Sequence, residues 1–341
     1  MHNYNIINYD AKYQKDILKL WNDEVGFIFP ISEIMFNQKV NNCKYFKKEA
    51  SFIALDKDDS VLGFILGKAF DNNPIIEKYY NKGWISLIYI SRKVRKNGIG
   101  SKLLENCENK LRDLGVTSIS IGSDIHNFFP GIPNDFDNLS NSFFRKRGYI
   151  INAYTHDLIR KLTKEDMVKY QDYNNNQYIE EYYDENLGKV CKRVIDVELR
   201  YAKKTDQEEL LDFFKRCFYG RWYDECWEYF QNNQIRKEYL LALVNGKIVG
   251  FLRVNNQLID EISYNINWKD RFNKLVGIGP LGVDIEYRCH GIAKMLLYYS
   301  ISDSAKNGYS DAMIDWTGLV TYYQRFGYEV WKCYHYASKN L

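Results

Sequence analysis

The chain has 341 residues, enough for about two ordinary domains, and 45% of them are hydrophobic, so each domain has a core to bury. Its 47 basic and 44 acidic side chains leave a net charge of +3, which excludes the one-signed field of a nucleic-acid or membrane-surface binder. Seven cysteines without a Cys-x-x-Cys pair argue against a disulfide framework or zinc site, and the chain lacks both a signal-peptide pattern and the ~18 apolar residues of a membrane span, so a reduced cytoplasm is the expected compartment.

In chain order, residues 4–9 are expected as a strand and 12–24 as a helix with Ile17, Leu18, Leu20 and Trp21 toward the core. A second helical region over 27–45, opened by Pro30, is followed by a hairpin of strands 51–55 and 61–66. The β-rich run 84–90 leads into a turn with the form Arg-x-x-Gly-x-Gly (Arg95, Lys96, Asn97, Gly98, Ile99, Gly100), then a helix whose stripe is Ile99, Leu103, Leu104, Cys107 and Leu111. Strand 118–121 comes next. The loop 123–136 holds two of the five prolines and is too long for a bare connection. A helix over 139–147 ends at Gly148, and residues 149–158 form a closing strand.

The pattern weakens from 163 to 193, where Asn174-Asn175-Asn176 and the polar run 182–186 look like exposed connecting structure with a boundary near residue 180. The expected layout is a first domain over 1–165, a connecting segment over 166–195 and a second domain over 196–341. Strand 197–201 and helix 207–217 open the second half, residues 219–232 are crowded with Trp222, Tyr223, Trp227 and Tyr229, and a hairpin over 239–254 turns at Asn245-Gly246. The apolar run 275–283 then breaks into an Arg-x-x-Gly-x-Ala turn (Arg288, Cys289, His290, Gly291, Ile292, Ala293) and restarts as a helix with Ile292, Met295, Leu296 and Tyr299 on one face. Strand 311–315, helix 319–326 and a last strand near 328–335 complete the chain.

A strand, a Gly-containing turn and a helix start together describe a phosphate cradle, because main-chain N–H groups converge where the helix dipole favours negative charge. Arg95 and Arg288, Gly98 and Gly291, and Gly100 and Ala293 are each 193 positions apart, and the segments 143–149 and 322–328 repeat as well. The chain is a duplicated unit.

Both turns, each followed by its distal helix and Gly-Tyr pair (Tyr323 before Gly327-Tyr328 in the second half), resemble the GNAT family of N-acetyltransferases, and the resemblance covers nearly the whole chain. The run from Gly122 to Pro133 is similar to tandem acetyltransferases of glucosamine and glucosaminides. The resemblance implies an α/β fold of two tandem GNAT-type acyl-CoA N-acyltransferase domains, each a mixed central sheet flanked by helices. It implies acetyl-CoA as cofactor, held by the two turns, and an oxyanion site among the backbone N–H groups of Leu281, Gly282 and Val283, with Ile90 at the matching position in the first half. Both Val283 and Ile90 also read as core.

Tyr323 takes the place of the family's proton donor to the leaving thiolate, and it also reads as one more buried tyrosine. Phe144 holds that place in the first half and cannot donate a proton, so the first half is expected to be catalytically degenerate. Asp315, at a strand end, reads either as a base for the acceptor amine or as a helix N-cap. Asp284 ranks below it, and His290 faces solvent or phosphate. For the sugar, Trp316, Tyr322 and Trp222 offer flat faces, and Asp124 and His126, with Phe128 and Phe129, a second pocket wall; each also reads as core or interface. No cysteine sits in a nucleophile setting, so direct transfer is expected. Other amines (an aminoglycoside, polyamine or thiol-sugar), an active first half, and a non-catalytic acyl-CoA-binding module stay open.

Overall fold

The computed structural model describes residues 4–70, 79–169, 176–231, 237–256 and 263–341. In the first half, β1 (Asn5–Asn8) leads to α1 (Gln14–Glu24), which turns Ile17 and Trp21 inward. The short α2 (Glu33–Phe36) starts at Ser32, whose hydroxyl accepts the Met35 N–H. Strands β2 (Phe52–Leu55), β3 (Val61–Ala69) and β4 (Lys82–Ile90) are antiparallel neighbours, and α3 (Ile99–Asp113) carries the chain over to β5 (Ser118–Ile121), parallel to β4. The two-residue β6 (Ile132–Pro133), α4 (Asp137–Arg145), β7 (Ile150–Lys161) and α5 (Lys164–Lys169) follow.

The segment expected as a polar connection contains a regular antiparallel hairpin, β8 (Gln177–Asp184) with β9 (Lys189–Asp196); Asn174 and Asn175 lie outside the described residues. The second half repeats the first as β10 (Glu198–Tyr201), α6 (Gln207–Cys217), α7 (Arg221–Gln231), β11 (Tyr239–Val244), β12 (Lys247–Asn255), β13 (Leu275–Val283), α8 (Ile292–Lys306), β14 (Asp311–Thr317), α9 (Val320–Gln324) and β15 (Glu329–Asn340). The pairs β1/β10, α1/α6, β4/β13, α3/α8 and β5/β14 all begin 193 positions apart, while β3 and β12 begin 186 apart. The difference of seven residues lies before the hairpin in the first half and after it in the second.

Two compact units result, and they do not follow the sequence halves. One holds Met1–Leu158, Ile259–Phe272 and Asp315–Leu341, the other Ile159–Leu258 and Asn273–Ile314. The first unit's sheet runs β1-β2-β3-β4-β5-β15, so the last strand of the chain lies antiparallel to β5, with Ala337 opposite Ile121. The second runs β10-β11-β12-β13-β14; just after β7, the Leu162 N–H donates to Ser310. Residues 315–341, expected with the second domain, thus belong to the first unit.

In the first unit α3 packs Leu103, Leu104, Cys107 and Leu111 onto Ile65, Ile85, Ile119 and Ala337. In the second, an aromatic cluster of Phe213, Phe214, Tyr229, Phe230, Tyr239 and Phe251 fixes α6 and α7 to the sheet. Among the described residues no helix is long and apolar enough to cross a membrane.

Ala337 is fully buried beside β5. Ala337→Asp strands a charge there, and hydrogen exchange is expected to show protection lost in β4 and β5 of the first half. Loss confined to β11–β13 would contradict the strand exchange.

Candidate active site

Each unit splits its sheet before the turn. Parallel pairing of β4 with β5 runs from Lys82↔Ser118 to Ile85↔Ile121, and that of β13 with β14 only from Leu275↔Asp311 to Gly277↔Met313. Beyond those pairs β4 continues to Ile90 and β13 to Val283 without that partner. Gly63 pairs opposite Ile90 and Gly250 opposite Val283, at the strand ends from which the turns leave. Gly282 is glycine because Phe218 and Phe251 lie on it; a Cβ there would stand 2.7 Å from both rings.

The two turns then repeat residue for residue. Lys96 and Cys289 share a φ of 67°, and Gly98 and Gly291 follow at 82° and 81°. The Nε–H of Arg95 donates to the Ile90 carbonyl and that of Arg288 to the Val283 carbonyl, both at 3.1 Å. Each arginine, itself exposed, therefore pins its turn to the strand end, and the Arg95 guanidinium also lies over the Tyr89 ring. Neither α3 nor α8 has a side-chain cap, so their first-turn N–H groups lack an internal acceptor. Left-handed residues before an uncapped 15-residue helix leave main-chain N–H groups of the kind that can hold an anion. The chemistry of this donor set fits a diphosphate.

The two turns differ in what supports them. Glu24, at the end of α1, accepts from Tyr89 Oη (3.0 Å), Ser91 Oγ (2.7 Å) and the Arg92 N–H (2.9 Å). Burial works to raise its pKa, but these donors and Arg95 hold it below the usual carboxylate value. In the second unit Asp284 replaces Ser91 and pairs with Arg216 of α6. Burial again opposes ionisation, and Arg216 with the Glu286 N–H wins, lowering the Asp284 pKa. The His290 ring, in the second turn, packs on Tyr178 of β8 with centroids 4.5 Å apart. Glu24, Arg216 and Tyr178 carry no motif that marks them in the sequence.

The expected proton-handling residues fall in the first unit. Tyr323 is buried, and burial, Tyr322 and the negative charge of Asp315 all raise its pKa above the ordinary tyrosine value, which keeps the hydroxyl protonated. Tyr322 packs edge-on against Tyr323. Phe144 is core, edge-on to Tyr149. Trp316 takes a positive φ of 47°, and its N–H donates to Asp157.

Asp124, expected on a pocket wall, is fully buried. Its Oδ2 accepts from Lys68 Nζ at 2.5 Å and Ser86 Oγ at 2.8 Å, and Lys68 also donates to the Ile125 and His126 carbonyls. The pair fixes the 123–126 turn, where Ser123 and His126 both have positive φ. His126 is half-buried with its ring stacked near Tyr45. Trp222 leans on Phe218 and Phe251 at the edge of the aromatic cluster.

Comparison with known proteins matches the chain twice to GNAT sequence models, the acetyltransferase (GNAT) domain over residues 198–331 and the acetyltransferase (GNAT) family over residues 16–129. A search of the curated proteins finds no match. Among solved structures the chain is similar to the GCN5-related glucosamine N-acetyltransferase region of a fungal multi-domain GH3 beta-N-acetylglucosaminidase, at 20% identity and a TM-score of 0.80, over 99% of this chain but only 38% of that one. It is similar to a GCN5-related N-acetyltransferase from Sphaerobacter thermophilus at 14% identity and a TM-score of 0.67, over 99% of this chain and 95% of that one. A tandem GNAT protein from the clavulanic acid biosynthesis pathway aligns at 10% identity and a TM-score of 0.60, over 99% and 98%. At these identities the likeness is one of fold.

The Lys68–Asp124 pair gives a stability test. Lys68→Ala leaves a buried carboxylate unpaired and is expected to cost about 3–5 kcal/mol by urea unfolding, more than the double variant Lys68→Met/Asp124→Leu. A double variant as damaged as the single one would contradict this account of the turn.

Proposed function

The chain is a tandem acetyltransferase of the GNAT family, and from that premise we propose that it moves acetyl from acetyl-CoA directly to the amine of glucosamine or a glucosaminide. The observation that carries the acceptor is the match of 99% of the chain, at a TM-score of 0.80, to a glucosamine N-acetyltransferase region.

The cofactor supplies a thioester carbonyl open to amine attack and a thiolate as leaving group. Main-chain N–H groups from Cys289 to Ala293 would hold its diphosphate, with Arg288 keeping the turn in shape. Backbone donors of Leu281–Val283 would face the acetyl carbonyl. Asp315 takes the proton of the acceptor ammonium, so that the amine attacks as a neutral nucleophile. The Tyr323 hydroxyl, kept protonated by burial, Tyr322 and the Asp315 charge, would give its proton to the sulfur that leaves. Trp316 and Tyr322 offer faces to the sugar ring. Cys289 is exposed in the turn and takes no covalent part.

One observation favours a second reading in which the turn of the first sequence half also holds acyl-CoA. Its turn carries Arg92, Lys93, Arg95 and Lys96, whereas the second has Ile285, Glu286, Arg288 and Cys289 at those places. The first turn is the stronger electrostatic anchor for a diphosphate. Since Phe144 stands in the first sequence half where Tyr323 stands in the second, cofactor held by the first turn serves binding and not turnover.

Tyr323→Phe is expected to lower kcat by about tenfold or more while Phe144→Ala and Cys289→Ala do not; equal losses at 323 and 144 would refute the division of labour. Calorimetric titration with CoA assigns the turns. Gly291→Val forces a Cβ into a left-handed position and is expected to abolish the stoichiometric site needed for turnover, and Gly98→Val to remove a second site without stopping turnover. Turnover that survives Gly291→Val and dies with Gly98→Val would reverse the assignment.

A further inference from the structure

Several buried carboxylates take no part in the acetyl-transfer scheme, and Asp157 is the one bonded to the backbone next to Asp315. Asp157 lies on β7 at 3% exposure, where a charge is costly. Its oxygens are divided between two donors: Oδ1 accepts the Trp316 amide at 3.0 Å, and Oδ2 accepts the Tyr334 hydroxyl at 2.6 Å. Tyr334 is fully buried, so this arrangement is fixed from β15 as well as β7. Trp316 is the residue that needs holding. Its positive φ disfavours a side chain with a Cβ, and it directly follows Asp315 on β14. A carboxylate kept in the interior thus restrains a strained corner next to the residue assigned to the acceptor's proton.

The surrounding charges single Asp157 out. Lys332 on β15 is the cation acting on it, and Lys332 is itself paired with Asp135. Asp135 and Asp315 act on the same Tyr334, and Asp315 also acts on Tyr323 of α9.

We propose that Asp157 is the positioning residue of the acceptor corner, its carboxylate holding the Trp316 amide, and with it Asp315, in the conformation that receives the amine. The role of the corner rests on the acceptor reading above; the hold on Trp316 does not. Burial, opposed by Tyr334, the Trp316 N–H and Lys332, lifts the Asp157 pKa to about 6. Below that pH the carboxyl is neutral and its bond to the amide loses charge assistance.

The test has two arms on the full chain. In the first, kinetics with acetyl-CoA and whichever amine of a panel the wild type accepts are followed from about pH 5 to 8. Asp157→Ala is expected to raise the acceptor KM about tenfold or more and leave the acetyl-CoA KM within about twofold. Asp157→Asn, which can accept from Trp316 and donate to the Tyr334 oxygen, is expected to restore the acceptor KM and to lose the acid limb near pH 6. An unchanged acceptor KM in Asp157→Ala, equal rises in both KM values, or an acid limb that persists in Asp157→Asn overturns the proposal. The second arm needs no substrate and so separates this idea from the choice of acceptor. The emission of Trp316, taken as wild type minus Trp316→Phe, is expected to shift between about pH 5 and 7 and to stay constant in the Asp157→Asn background. A pH-independent Trp316 emission in the wild type overturns the hold on the corner whatever the enzyme acetylates.

Discussion

The structure depends on one local arrangement, built twice: a strand ends, an arginine Nε–H reaches back to its last carbonyl, two left-handed residues reverse the chain, and a helix starts without a cap. An uncapped helix start leaves main-chain donors without acceptors, which a protein tolerates where an anion is to be bound. Everything near it serves that geometry. The parting of β13 from β14 opens the strand edge, Gly250 and Gly282 let neighbours approach it, and Asp284 with Arg216 ties the turn to α6.

Duplication preserved this arrangement and let the chemistry around it diverge. The support on the turn is a hydroxyl with a carboxylate in one unit (Ser91, Glu24) and a carboxylate with a guanidinium in the other (Asp284, Arg216). Four cations ring the first turn, and the second is nearly neutral. A phenol at 323 is matched by a phenyl at 144.

Much of this was legible in the sequence, for physical reasons. An apolar run, an Arg-x-x-Gly turn and a stripe of Ile99, Leu103, Leu104 and Cys107 fix a strand–turn–helix locally, and the repeat at 193 positions survives because both turns need glycine at φ near 80°. The strand exchange was not legible. β7 and β15 present similar patterns, and nothing in an alternating strand names its neighbour, so adjacency in sequence misassigned residues 315–341. The β8–β9 hairpin read as a connection because Ile179, Val190 and Val194 stay exposed and its turn is polar. Asp124 looked like a pocket wall because its partner Lys68 lies 56 residues away, inside a strand where a lysine gives no hint of burial. Asp157 stands beside Thr155 and His156 in a strand of mixed polarity, and its meaning required Trp316 and Tyr334 beside it.

The proposed function turns on acetyl transfer from acetyl-CoA to an amino-sugar amine without an acyl-enzyme. Initial rates of free thiol release by the full chain, with acetyl-CoA and glucosamine varied together, test it most directly. Direct transfer predicts thiol and N-acetylglucosamine in equal amounts with intersecting double-reciprocal lines. Parallel lines, or no thiol release with glucosamine or its oligomers, would contradict it.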